Sequence, residues 1–126
     1  MTKSDMLVED LKVYKRLFDL VLEVHDITLG FPRLELYELG SQVRRSSNSI
    51  AANLAEGFGN KHTKIYTESI SRAQGELRET IHHLRIAQAK KYISASHFTD
   101  LRDRYRECSR MLFGLEKSLI ARTKKS

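Results

Sequence analysis

The 126-residue chain has no tryptophan, one proline, one cysteine and six glycines. A lone cysteine, Cys108, cannot form an internal disulfide, and a chain this poor in proline and glycine has little to interrupt long helices. No stretch approaches the roughly eighteen uninterrupted apolar residues of a spanning helix, and the mean hydropathy is −0.45. A membrane role is therefore not expected. Residues 1–10 mix charges with apolar side chains and lack the pattern of a signal peptide, which makes the cytoplasm the expected compartment. The length suits one hydrophobic core, so residues 1–126 are read as a single domain.

The net charge of +6 is unevenly placed. Residues 1–63 carry eight Lys/Arg against nine Asp/Glu, and residues 64–126 carry fourteen against seven. An excess of this kind raises the prospect of a polyanionic partner, although solvated helix faces also carry charge.

Apolar residues recur at intervals of three and four along four segments, at about 4–29, 35–57, 63–92 and 95–122, with no strand-like alternation and no internal repeat. The first stripe is read as Leu7, Leu11, Tyr14, Phe18, Val21 and His25, widened by Leu17 and Leu22, with His25 on the core edge. Gly30 is expected in a left-handed C-terminal position, and Phe31-Pro32 stops the helix. The second stripe is Leu39, Val43, Ile50 and Leu54, with Ser47 as a small packing residue inside it. Gly57-Phe58-Gly59-Asn60 ends that helix. The third runs through Tyr66, Ile70, Ala73, Leu77, Ile81, Leu84 and Ala87. The fourth, capped by Ser94 or Ser96, runs through Phe98, Leu101, Tyr105, Cys108, Leu112, Leu115 and Leu119. The predicted fold is all-α, an antiparallel up-down-up-down four-helix bundle.

Candidate chemistry is sparse. His82 and His83 are adjacent on a helix and diverge by about 100°, unlike the i,i+4 pairs of helical zinc sites, and His25, His62 and His97 are scattered; no metal or cofactor is expected. Gly57-Phe58-Gly59-Asn60-Lys61 follows a helix where a phosphate-binding loop would follow a strand. Cys108 lies on an apolar stripe, where burial raises its pKa and leaves it unreactive. Glu76 and Glu79 are not tied to a cleft. No catalytic residue is assigned, and the chain is read as a non-enzyme.

The most informative polar feature is on the second helix. Gln42, Arg45, Ser49, Asn53 and Glu56 fall in one narrow sector beside the apolar stripe, with Ser46 at the boundary, a pattern suited to a hydrogen-bonded seam within the bundle or between subunits. Arg44 projects elsewhere, beside Ala51 and Ala55. Two basic stripes follow. On the third helix Arg78, His82 and Arg85 lie together, with Lys90 and Lys91 at the C-terminal end, where cations also suit the helix dipole. On the fourth, Arg102, Arg106, Arg110, Lys117 and Lys124 keep near-helical phase, while Asp100, Asp103 and Glu107 can offset several of them. Tyr66 and Tyr92 could stack on bases, though no RNA-recognition motif is present.

The run Phe31-Pro32, Tyr37-x-Leu39, Gln42-Val43-Arg44-Arg45-Ser46 and Ser49-Ile50-Ala51-Ala52-Asn53-Leu54-Ala55-Glu56-Gly57 resembles the bacterial 23S rRNA intervening-sequence proteins. The resemblance continues through Gly59, Tyr66, Ala73-x-Gly75, Glu79 and Tyr92-Ile93, over about residues 11–119. It implies a four-helix bundle assembled as a ring-shaped homopentamer, with Gln42, Arg44, Arg45, Ser49, Asn53, Glu56, Gly57 and Glu79 at the family's characteristic polar positions. A more distant similarity is to the accessory variability proteins of diversity-generating retroelements, basic pentamers associated with a reverse transcriptase and nucleic acid. Glu76 and Asn60-Lys61 depart from the family pattern. Gly75 in mid-helix costs about 1 kcal/mol relative to alanine, for which close helix packing is the expected reason.

The leading expectation is a basic homo-oligomer, a pentamer by resemblance, that binds structured RNA or another nucleic acid through phosphates. Arg78, Arg85, Lys90, Lys91, Arg102, Arg106 and Arg110 are the candidate contacts. The alternatives are a protein-interaction adaptor for a nucleic-acid-processing enzyme, and a small-molecule-binding bundle or unrecognised enzyme.

Overall fold

In the computed structural model, which describes residues 6–125, four long helices follow one another: α1 (Lys12–Thr28), α2 (Leu39–Gly57), α3 (Thr63–Ala89) and α4 (Ala95–Lys125). A 3₁₀ turn at Val8–Asp10 precedes α1, and a single helical turn at Arg33–Leu36 lies between α1 and α2. Among the described residues there is no strand.

Side-chain ties between helices fix the topology. Arg45 of α2 reaches Glu76 and Glu79 of α3, while Asn53 further along α2 meets Arg72, earlier on α3, so the two helices run antiparallel. Gln74 of α3 pairs with Ser109 of α4, and Arg85 lies over Phe98 near the start of α4, which makes that pair antiparallel too. Arg104 of α4 meets Glu23 late in α1, whereas Arg16 early in α1 meets Glu107. The result is the up-down-up-down bundle that the four periodic segments predict.

Three of the four core stripes lie where the spacing puts them. Leu39, Val43, Ser47, Ile50 and Leu54 of α2 are buried, as are Tyr66, Ile70, Ala73, Leu77, Leu84 and Ala87 of α3 and Phe98, Leu101, Tyr105, Cys108, Leu112 and Leu119 of α4. They form one hydrophobic core with Val13, Leu17, Leu20 and Val24 of α1.

The first helix corrects the sequence reading. Its buried face is Val13, Leu17, Leu20, Val24 and Thr28, one step away from the predicted stripe. Leu7, Phe18, Leu22 and His25 are exposed, with Phe18 at 48% and Leu22 at 55%. The segment is apolar on two sides, so periodicity alone admits both registers, and the neighbouring helices choose between them. Nor is the helix continuous from residue 4, a position outside the described residues. Asp10 accepts a hydrogen bond from the Leu7 amide at 2.9 Å, and Leu11 is extended, so α1 starts at Lys12.

Other boundaries shift for identifiable reasons. Gly30 does not take the left-handed conformation: α1 ends in tight i→i−3 bonds from Leu29, Gly30 and Phe31 to Asp26, Ile27 and Thr28. The predicted second helix is broken at Glu38, whose φ of −105° and ψ of −93° are non-helical. The guanidinium of Arg44 secures this break, donating to Leu36 O at 2.8 Å and to Thr28 Oγ1 at 2.9 Å. Gly40 leaves the space, since a Cβ there would lie 2.9 Å from Arg44 Nη1. The third helix ends three residues before the expected Tyr92. Lys91 adopts φ 65°, and the Tyr92 and Lys91 amides bond back to Ala87 O and Gln88 O, a Schellman closure. Ser94 Oγ caps α4 by accepting from the His97 amide at 3.1 Å, and α4 continues to Lys125, past the predicted end at 122.

Gly57, Gly75 and Gly114 differ in role. A Cβ on Gly57 would collide with the Ser69 side chain, so α2 and α3 touch there only because glycine is present. Gly75, expected to serve close packing, has nothing within reach of a Cβ except Arg78 Nη2 at 3.8 Å, and Gly114 has nothing within 4 Å. Chemical denaturation should therefore separate them. Gly114→Ala is expected to stabilise the chain by about 0.5–1 kcal/mol through helix propensity, whereas Gly57→Ala should destabilise it by about 1–3 kcal/mol through overpacking. Equal effects at both sites would contradict the packing described.

Candidate nucleic-acid interface

Charge on α3 is divided between its two flanks. Glu76 and Glu79 turn toward α2, where both face the guanidinium of Arg45, the former at 3.4 Å. Beneath them the Thr80 hydroxyl donates to Ser46 Oγ at 2.8 Å in the buried seam, and farther along Arg72 Nε donates to Asn53 Oδ1 at 3.2 Å while Asn53 Nδ2 bonds Ser49 O at 2.8 Å. The predicted polar stripe is thus in part a seam inside the subunit, between α2 and α3. Arg45, Asn53 and Glu79 join it, and Ser49 enters through its carbonyl. Gln42 and Glu56 are exposed at its edge, and Arg44 lies on the opposite side, at the α1–α2 connection.

The other flank of α3 faces α4 and is cationic. Arg78 and Arg85 are two turns apart on the same side of α3. On α4, Arg102, Arg106 and Arg110 recur every four residues. The two rows meet because Gln74 Nε2 donates to Ser109 O at 2.9 Å and Ser109 Oγ donates back to Gln74 Oε1 at 2.8 Å. At one end the guanidinium carbons of Arg85 and Arg102 stand 5.2 and 5.8 Å from the centroid of the same buried ring, Phe98. At the other, Arg78 and Arg110 line a common cavity with Phe113.

Compensation on this face is partial. Arg102 has Asp103 at 3.3 Å, and Arg110 has Glu107 at 2.7 Å, a contact that lowers the Glu107 pKa through the hydrogen bond from Arg110. Arg78, Arg85 and Arg106 have no carboxylate partner among the described residues. Two guanidiniums held over one ring repel each other, and an anion between them relieves that repulsion.

Lys90 and Lys91 stand apart from the arginine rows. Lys90 Nζ is 2.9 Å from Glu35 Oε2, which also accepts from the Tyr92 hydroxyl at 2.9 Å. These two hydrogen bonds hold the Glu35 carboxyl below its ordinary pKa, and the bond to Glu35 raises that of Lys90. With the Phe31 and Tyr92 rings 5.4 Å apart, the cluster pins the α1–α2 connection to the end of α3. Lys91 is the left-handed residue of the α3 terminus.

Burial pushes the Cys108 thiol up to about 11. Burial likewise raises the pKa of Tyr105, whose hydroxyl has no hydrogen-bond partner in the core. The imidazoles of His82 and His83 tilt against each other at 5.5 Å, with burial lowering the pKa of His83. No group of three or more His, Cys, Asp or Glu among the described residues could hold a metal ion, and no helix is long and apolar enough to cross a membrane.

Sequence reasoning placed the arginines on their helices but overlooked Gln74, Ser109 and Phe113, which join and line the two rows. Phe113 carried a signal: it is a large apolar residue out of phase with the Leu112–Leu119 stripe and in phase with Arg102, Arg106 and Lys117.

Fold and site together define an antiparallel four-helix bundle with one flank of cations between its last two helices. Residues 9–114 match the model of the 23S rRNA-intervening sequence protein family, and the chain belongs to that family. A crystal structure from Bacteroides thetaiotaomicron, of a protein with unknown function from the S23 ribosomal protein family, matches with a TM-score of 0.74 at 18% identity. The match covers 83% of this chain and 98% of that one and shows a shared fold. A comparison with curated proteins gives no match.

Between α1 and α4, Arg104 Nη2 lies 2.7 Å from Glu23 Oε1 and 2.9 Å from Asp100 Oδ2. The hydrogen bond from Arg104, aided by its charge and by His97, lowers the Glu23 pKa from an ordinary 4.5. A carboxyl with a depressed folded-state pKa stabilises the fold above its unfolded value, and the contribution disappears as pH falls through the folded value. Glu23→Gln should therefore lower stability at pH 7 by less than about 1 kcal/mol, because solvent screens the pair. The difference from the parent should shrink as pH falls past 4.5 and disappear only below the depressed folded-state value. Thermal melts across pH 2–7 test this, and a difference that persists or grows at acid pH would contradict it.

Proposed function

We propose that this protein is a non-catalytic, basic homo-oligomer that binds nucleic acid by phosphate contacts along the α3/α4 flank. The observation that carries this reading is the convergence of Arg78, Arg85, Arg102 and Arg110, from two separate segments, on one flank, with Arg106 between the last two by helical spacing, while Glu76 and Glu79 face the other way. Guanidiniums presented without matching carboxylates suit phosphate oxygens, and contacts of this kind position a backbone without reading sequence. The family's name refers to sequences intervening in 23S rRNA and gives RNA first place among ligands to test.

Assembly is the second part of the reading. Phe18, Leu22 and Leu29 lie within about 40° of one another around α1, and exposed Leu34 and Tyr37 follow in the turn that leaves it. Taking ~200 Å² for a large side chain in water, the five expose roughly 650 Å², near the ~800 Å² per partner of a standard interface. We assign this apolar stripe to contacts between copies in a pentamer, which at +6 per chain would carry +30.

Light scattering and fluorescence anisotropy on structured RNA, duplex DNA and single strands at several salt concentrations test both parts. The expected result is an oligomer whose affinity falls steeply with salt, with a slope that drops by about 0.7–0.9 for each phosphate-contacting arginine changed to glutamine. Phe18→Glu with Leu22→Glu should reduce the mass to that of a monomer. An oligomer indifferent to every nucleic acid at low salt would overturn the proposal and favour the adaptor reading.

A further inference from the structure

We propose that the α3/α4 groove receives an unpaired nucleotide, its base stacked on Phe113 and its flanking phosphates held by Arg78 and Arg110. This rests on the nucleic-acid reading of the same flank and specifies the ligand. Phe113 is 57% exposed beside a cavity of about 650 Å³ shared with Arg78 and Arg110. The floor of that cavity is the Gln74–Ser109 pair, closed by two reciprocal hydrogen bonds.

The surroundings of the ring identify what covers it. Contacts between protein copies gather apolar residues around an exposed aromatic, as on α1. Phe113 instead stands among Arg110, Glu116 and Lys117, with Lys117 Nζ 5.7 Å from its centroid, and the next exposed apolar residue, Ile120, is two turns on. An aromatic face flanked by cations fits a base with its phosphates, the arrangement by which single strands are held without sequence preference. Glu116 is the one carboxylate lining the cavity, an acceptor suited to a sugar hydroxyl or exocyclic amine. Bases inside a duplex are stacked on each other and cannot reach Phe113, so the groove should favour single strands, loops and ends.

The chain has no tryptophan, so Phe113→Trp installs a single reporter at the site. Ten-nucleotide U and dT strands and a blunt duplex serve as probes at low salt. The expected results are quenching of Trp emission by single strands and a loss of about tenfold in single-strand affinity for Phe113→Leu, which keeps bulk but lacks a π face, with duplex affinity unchanged. If Phe113→Leu binds single strands like the parent while Arg78→Gln weakens every nucleic acid, stacking is overturned and the cationic flank stands. If the parent binds none of the probes, the nucleic-acid reading falls with it.

Discussion

The close crossing of α2 and α3 is the constraint on which the rest of the bundle depends. Gly57 lies against Ser69 with no room for a Cβ, and in the middle of the seam Ser46 and Thr80 exchange a buried hydrogen bond. Small and hydroxylic residues bring the two backbones together, and the hydroxyls satisfy each other or nearby carbonyls, so closeness leaves few polar groups stranded. With one flank of α3 consumed in this way, its other flank is the side left for α4. That order of packing determines which residues of α3 look outward.

Electrostatics follows from the same geometry. Glu76 and Glu79 fall on the α2 side and share the guanidinium of Arg45, while Arg78 and Arg85 fall on the α4 side, where Arg102, Arg106 and Arg110 join them. A helix with nearly balanced charge thereby places Glu76 and Glu79 with Arg72 at one seam and only bases, Arg78 and Arg85, at the other. The excess of cations in the second half of the sequence becomes a directional surface only when α3 and α4 are packed. A cationic flank of this kind raises local phosphate concentration and accelerates encounter, most strongly at low salt.

Much of the fold was legible in the sequence because α2, α3 and α4 each have one apolar side. Leu39, Val43, Ile50 and Leu54 admit a single register, with Ser47 buried among them. α1 does not: Phe18 and Leu22 compete with Leu17 and Leu20, and only the neighbouring helices decide which pair is buried. The short residues of the polar stripe marked Asn53 and Ser46 as contact positions. The role of Arg44 was not legible, since its partners, the Thr28 hydroxyl and the Leu36 carbonyl, become neighbours through a backbone break at Glu38 that no composition signal marks. The arginines were found as two stripes on separate helices. That the two stripes come side by side depends on the packing of α3 on α4, marked by the Gln74–Ser109 pair, a contact between residues 35 positions apart.

Photo-crosslinking of a bound RNA strand followed by mass spectrometry tests the central claim most directly, because it locates the nucleic acid on the protein without altering a residue. Crosslinks are expected in residues 71–85 and 98–117, on the flank where α3 and α4 meet, and should be lost as salt is raised. Crosslinks confined to α1 or α2, or none at low salt, would contradict the assignment of this flank to phosphate binding.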